Sequence, residues 1–168
     1  PYVKRVLEAM CIPILEVEGY EADDVIGTLS QKAAAEGYEV FMVTPDKDYG
    51  QLVRDNCRIY KQRGAEGSIE IVDREAIREK YGIEPPQLID VKSLMGDASD
   101  NIPGVPGIGE KTALALISKF GSLQGVYEHL DDKAIKPKQR EKLEANKELA
   151  ELSHMLGTIR KDAPIETA

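Results

Sequence analysis

The sequence is poor in the residues that soft metals and disulfide scaffolds require. Two cysteines, Cys11 and Cys57, and two histidines, His129 and His154, are all it contains in 168 residues. Neither cysteine has a CxxC partner, so a thiolate zinc site is not indicated and two reduced, buried thiols are the expectation. No apolar run approaches the roughly 18 residues of a membrane span. A signal-peptide pattern is also missing, so a cytoplasmic protein without a membrane partner is expected. Repeats of 20–50 residues and low-complexity tracts are absent too, which excludes solenoids and disordered arrays. What remains, with 42% apolar residues, is enough for one packed domain or a domain plus a small module. The first residue is Pro1 rather than Met, and the chain is read as a fragment or processed product.

The net charge of −8 argues against a general nucleic-acid binder. Its distribution says more. Residues 1–100 carry 20 acids and 12 bases, whereas residues 101–168 carry 10 of each. The whole excess therefore lies in the first part, where it gathers in three short clusters.

Periodicity predicts the end of a helix over 2–10, a strand over 12–17 and a helix over 22–36 stopped by Gly37. It predicts a buried strand over 39–44, a turn into a short helix at PDKDYGQL, and strands over 57–61 and 69–72. Helices follow from Asp73 to Lys80 and from Pro85 to about Leu94. Alternating strands and helices predict an α/β layer with a mainly parallel sheet. After residue 100 the pattern becomes a Pro/Gly-punctuated loop and helices over 110–119, 122–130, 137–148 and 149–157. The expected division is an α/β part, 1–100, and a helical part, 101–168.

Glu21, Asp23 and Asp24 open the 22–36 helix. Acids there cap the helix and favour its dipole by ~0.3–1 kcal/mol each, which alone accounts for one or two of them. Asp46 and Asp48 follow a strand, where open α/β sheets place sites, although an Asx-turn explains them equally well. Asp97 and Asp100 lie in GDASDN, a spacing that brings two carboxylates to one side of a turn and is also ordinary loop composition. If the three clusters converge, the repulsion among seven carboxylates demands cations. Oxygen-only donors suit Mg²⁺ or Mn²⁺ rather than zinc. Two such ions ~3.5–4 Å apart form a phosphoryl-transfer clamp, one lowering the pKa of an attacking water and the other stabilising the leaving oxygen. No cluster fits an EF-hand, and no P-loop is present. His129 and His154 lie far from the acids and read as surface or packing residues.

Gly104, Val105, Gly107, Ile108, Gly109, Lys111 and Thr112 belong to a tight loop, GVPGIGEKT, at a helix start. Successive backbone N–H groups there can cradle phosphate oxygens without reading bases. A plain turn between helices is the alternative. Lys133, Lys136, Lys138, Arg140 and Lys142 form a basic stretch that either follows a nucleic-acid backbone or is a solvated helix face.

GYEADDVIGTL, VTPDKDYGQL and MGDASDNIPGVPGIGEKTA, in this order, resemble successive motifs of the 5′→3′ exonuclease domain of bacterial DNA polymerase I, in the flap-endonuclease superfamily. The resemblance implies a PIN/flap-endonuclease-like fold followed by a helix–hairpin–helix. It implies Glu21 and Asp23 at a first metal site, Asp46, Asp48 and Asp100 at a second, and Asp24 and Asp97 close to both. It implies that loop 104–112 grips duplex DNA, with a K⁺ ion among the expected ligands. The implied substrate is DNA with a 5′ flap, nick or RNA primer, and the implied partners are polymerase domains of the parent chain. Family members also have an earlier apolar strand ending in a metal-binding Asp, a second Asp and a basic helical arch, none of which is matched here. The chain alone is therefore expected to be inactive and to bind metal mainly at the second site. A non-catalytic DNA-binding module and a Mg²⁺-dependent phosphatase are the competing readings.

Overall fold

The computed structural model describes residues 2–63 and 67–165. Helix α1 (Tyr2–Ala9) precedes α2 (Ala22–Ala35). Strand β1 (Val40–Val43) leads through a 3₁₀ turn, Lys47–Leu52, to β2 (Cys57–Arg63) and β3 (Ser68–Val72). Helices α3 (Arg74–Tyr81), α4 (Leu88–Met95), α5 (Glu110–Phe120), α6 (Leu123–Glu128), α7 (Pro137–Ala145) and α8 (Lys147–Gly157) complete the chain.

The sheet has the order β1-β2-β3, with β1 parallel to β2 and β2 antiparallel to β3. It is thus mixed rather than mainly parallel. The short link from β2 to β3 permits only a hairpin, while the 3₁₀ turn lies within the longer crossover that a parallel pair needs. Two further expectations fail here. Residues 12–17 form no strand, because a strand needs a ladder and none of the described strands pairs with them; Ile12, Ile14 and Leu15 are exposed. The strand expected to be buried, β1, buries only Met42, while Phe41 and Val43 point outward from an edge position.

Two cores result. One packs Met42, Leu52, Cys57, Ile59 and Ile77 between the sheet, the 3₁₀ turn and α3. The other joins Val91 and Leu94 of α4 to Ala113, Leu116 and Ile117 of α5, with Val126, Leu143 and Ala150 from the later helices. Helix α4 therefore packs with the helices that follow it. The chain then returns: Ile159 enters the first core, and Ala163 and Ile165 pack on Val25 of α2. Gln51 fixes this return by donating to Gly157 O (3.0 Å) and accepting from Ile159 N (3.0 Å). Thr28 accepts from Ala163 N at 3.0 Å. Among the described residues no helix is long and apolar enough to cross a membrane.

Local chemistry explains the elements. Asp73 accepts from Ala76 N (2.9 Å) and starts α3, and Gly82 ends it in the left-handed region at φ +70°. Glu84 then ties this end down, accepting from Arg74 Nε at 2.8 Å and from Arg78 Nε at 2.6 Å. These two guanidinium groups hold the Glu84 carboxyl below its ordinary value.

Two predictions follow from this packing. A Cβ on Gly27 would lie 2.7 Å from Ile159 Cγ2 and 3.0 Å from Arg160 O. Gly27→Ala should cost about 1–3 kcal/mol in denaturant unfolding, by overpacking α2 against the returning segment. Glu84 has a depressed folded pKa, so its contribution is present above the unfolded carboxylate pKa and fades as pH falls through the folded one. Glu84→Gln should therefore move the acid-unfolding midpoint, followed by circular dichroism, to higher pH, and the difference from the parent protein should vanish at the acid extreme.

Candidate metal centre

Three elements meet at one carboxylate cluster. Asp48 sits at the start of the 3₁₀ turn after β1, Asp97 directly after α4, and Asp100 in the loop that follows. Each offers an oxygen within 4.8 Å of the others. The loop holding Asp97 and Asp100 is closed by a two-way backbone bridge, Asp97 N to Ile102 O and Ile102 N to Asp97 O, both 2.9 Å. Asp97 Oδ1 also accepts from Ser99 N (3.0 Å) and from the Ser99 hydroxyl.

A cation already holds the cluster together. Lys92, buried at 7% exposure on α4, donates to Asp48 Oδ2 (2.5 Å) and Asp100 Oδ2 (2.6 Å) and lies 3.5 Å from Asp97 Oδ2. Burial pulls its ammonium down, but its bonds to Asp100 and Asp48 outweigh this and leave it above its ordinary value. Burial raises the Asp48 carboxyl, and Lys92 offsets only part of that rise. Asp97 goes the other way: the Lys47 ammonium and the Ser99 hydroxyl hold it well below the usual carboxylate range. Its Oδ2 is cut off from solvent and meets no donor at a hydrogen-bonding angle; its company is ionic, with Lys47 Nζ at 2.8 Å.

The donor set fits a hard divalent cation. It is all oxygen, it is anionic, and it contains a buried oxygen whose needs only charge meets. Asp48, Asp97 and Asp100 would hold the ion, with Lys92 giving up part of its contacts.

The other sequence-predicted acids are placed differently. Asp46 stands outside the triple; its Oδ1 accepts from Asp48 N at 2.9 Å and caps the 3₁₀ turn. Asp23 and Asp46 both act on buried Tyr49, whose hydroxyl is pushed up to about 12 by burial and then by these two charges. One acid of the first cluster and one of the second thus lie within electrostatic range of Tyr49. Asp24 has both oxygens engaged by backbone, Oδ1 with Arg160 N at 2.8 Å and Oδ2 with Glu21 N at 3.3 Å. Its visible work is to close α2 onto the returning segment. Glu21 is exposed at the N-cap of that helix.

The glycine loop is split in function. Gly104, Val105 and Ile108 are buried, and their amides are used internally: Gly104 N donates to Ser153 Oγ (2.9 Å), Val105 N to Leu94 O (2.8 Å) and Ile108 N to Val105 O (3.0 Å). Gly107, Gly109 and Lys111 are exposed and Thr112 is half-buried. The first amides of α5 are therefore the outward donors. Lys142 reaches this loop and donates to Gly107 O at 3.1 Å. A Cβ at Gly104 (φ +61°) would meet Gly96 N at 2.3 Å, so the loop and the acidic turn touch backbone to backbone. His129 stacks on Phe120, and His154 lies 3.5 Å from Asp90, away from the cluster.

Sequence reasoning missed Lys92. A signal existed: Lys92 is the only cation of LIDVKSLM, an otherwise mostly apolar helix five residues before Asp97.

Comparison with known proteins shows the family. A family model described as 5′-3′ exonuclease, N-terminal resolvase-like domain, matches residues 1–82. A second, 5′-3′ exonuclease, C-terminal SAM fold, matches residues 83–168. The chain belongs to the 5′-3′ exonuclease family. It is 47% identical over 167 residues to DNA polymerase I of Bacillus caldotenax, covering 99% of this chain and 19% of that protein. It is 43% identical to the thermostable DNA polymerase I of Thermus thermophilus, covering 98% and 19%. The chain thus spans about a fifth of these relatives. The structure of T5 5′-exonuclease with bound zinc matches at a TM-score of 0.75 and 26% identity, over 93% of this chain and 57% of that one. The Rad2 catalytic core in complex with DNA matches at 0.63 and 19%, a likeness of fold.

Lys92→Gln should leave three clustered carboxylates without their buried partner. We expect it to cost about 3 kcal/mol, the low end for a broken buried pair because Asp100 is half-exposed. Millimolar Mg²⁺ or Mn²⁺ should restore most of the loss in thermal unfolding; equal destabilisation with and without the ion would refute a cation-demanding cluster.

Proposed function

We propose that this chain supplies the metal-binding and duplex-holding parts of a structure-specific 5′ nuclease that hydrolyses phosphodiesters in DNA at a 5′ flap, nick or RNA primer. The observation that carries this reading is the cluster of Asp48, Asp97 and Asp100 around Lys92, in a chain of the 5′-3′ exonuclease family. Residues 1–100 form the acidic part and residues 101–168 the helical, DNA-holding part. In a relative-like context the partners are the polymerase domains and the compartment is the cytoplasm.

Two Mg²⁺ or Mn²⁺ ions would bind: Asp48, Asp97 and Asp100 would hold one, and Glu21, Asp23 and Asp46 would serve the second. Bound there, the ions supply Lewis acidity toward a phosphate oxygen and an attacking water. The chain's own residues do the rest. Ser99 and Lys47 keep Asp97 ionised and aimed inward. Lys92 balances charge among the acids and presents an ammonium where a phosphate would arrive. The amides at the start of α5, with Lys111 and Lys142, hold a phosphate backbone without sequence preference; the same loop would hold K⁺ through its carbonyls.

The test is a chimera. Residues 1–168 replace the matching region of the Bacillus caldotenax polymerase, and Mg²⁺-dependent cleavage of a labelled 5′ flap is measured. The chimera should cleave, and the isolated 168-residue chain should bind the flap with cleavage near background. Asp48→Asn and Asp100→Asn in the chimera should each lower the rate at least ~100-fold, several kcal/mol of charge stabilisation, with little change in flap affinity. Undiminished cleavage in both variants would sink the metal assignment. A chimera that binds but never cleaves favours a non-catalytic binding module, and hydrolysis of small phosphoesters alone favours a phosphatase.

A further inference from the structure

Asp48 and Gln51 stand three residues apart in the 3₁₀ turn Lys47–Leu52. In such a helix positions i and i+3 eclipse, so both side chains leave the turn on the same side. There Asp48 meets Lys92 of α4. Gln51 is buried, and both ends of its amide are used: Nε2 donates to Gly157 O and Oε1 accepts from Ile159 N. Gly157 ends α8 and rests on α4. A Cβ there would lie 2.8 Å from Ile89 Cδ1, 3.3 Å from Ile102 Cδ1 and 3.5 Å from Lys92 Cδ. The backbone that Gln51 grips is thus the backbone against which the Lys92 stem lies. Ile102 in turn closes the loop of Asp97 and Asp100 through its two-way bridge with Asp97. One side chain ties the Asp48 turn to the place where the other two acids and their cation are held.

We propose that Gln51 is a positioning residue: it holds Asp48 at the separation from Asp97 and Asp100 that a divalent ion requires. The proposal rests on the reading of that centre as a metal site. A 3₁₀ turn has poorer hydrogen-bond geometry than an α-helix and is a weak platform for a ligand. The bond from Asp48 N to Asp46 Oδ1 lies within the turn and moves with it. Lys92 and Lys47 do reach across, but they bind the same carboxylates that an ion would take. Their hold weakens as the ion enters. The Gln51 amide touches none of those oxygens and keeps both bonds. Groups that orient a metal ligand without touching the metal are worth ~10–100-fold in metal affinity. Two side chains of α2 fasten the same returning segment farther along: Thr28 accepts from Ala163 N and Lys32 donates to Ile165 O at 2.9 Å. They fix the segment to α2 rather than to the Asp48 turn, and so serve as controls.

The test uses the whole 168-residue chain. Mn²⁺ affinity is measured by electron paramagnetic resonance, at a temperature where circular dichroism shows each variant folded. Gln51→Met keeps the length of the side chain and removes both bonds; it should weaken Mn²⁺ by about tenfold or more. Thr28→Val loosens the same segment from α2 and should lower the unfolding temperature while Mn²⁺ affinity stays within about twofold. A variant-free measurement stands beside these. Coupling between two sites is reciprocal, so saturating Mg²⁺ should slow hydrogen exchange of the Ile159 amide by about tenfold, and more than it slows that of the Ala163 amide. Mn²⁺ affinity within twofold of the parent in folded Gln51→Met reduces Gln51 to a structural role and overturns the proposal, with the metal reading intact. Equal weakening in Thr28→Val, or equal Mg²⁺ protection of the two amides, also overturns it, in favour of general loosening. Absence of Mn²⁺ binding in the parent chain overturns the metal reading and this proposal with it.

Discussion

Carboxylate oxygens from Asp48, Asp97 and Asp100, within 4.8 Å of one another, cannot all stay ionised without positive charge among them. Lys92 provides that charge from a buried position on α4. This constraint joins regions that are otherwise separate. Asp48 lies in the 3₁₀ turn whose Tyr49 and Leu52 enter the first core, and Lys92 in the helix that packs with the second. Their ion pair spans the two cores at the point where the chemistry is proposed to occur. The arrangement resembles a site held ready by a cation that can be exchanged for another.

The three carboxylates differ in electrostatic character although they share one cluster. Asp97 is stabilised as an anion by Lys47 and Ser99, whereas burial works against ionisation of Asp48. A divalent ion would relieve the strained member and bind the committed one. Such asymmetry favours ion uptake without leaving the cluster unstable in its absence.

Much of this was legible in the sequence because it depends on local rules. The start of α2 at Glu21, its stop at Gly37 and the cap at Asp73 follow from short-range chemistry. So did the carboxylate positions at 46–48 and 97–100, which sit where turns end a strand and a helix. What was not legible depends on distant partners. Residues 12–17 carry the composition of a strand, yet a strand exists only with a ladder to join. Val43 reads as core and stands 77% exposed, because only a neighbouring layer can bury it. The tie of Asp24 to the Arg160 amide was not legible either, because the two lie 136 residues apart. Lys92 looked like any helical lysine until the fold brought two loops around it.

The contact between Gly96 and Gly104 has a further consequence. The backbone leading into the acidic turn and the backbone leading into the glycine loop are so close that neither position leaves room for a side chain. No flexible linker separates the place proposed to hold a duplex from the place proposed to cut it. Such a pair acts as a ruler: the bond broken would be set by counting from the phosphates gripped, and reach rather than base identity would decide where the strand is severed.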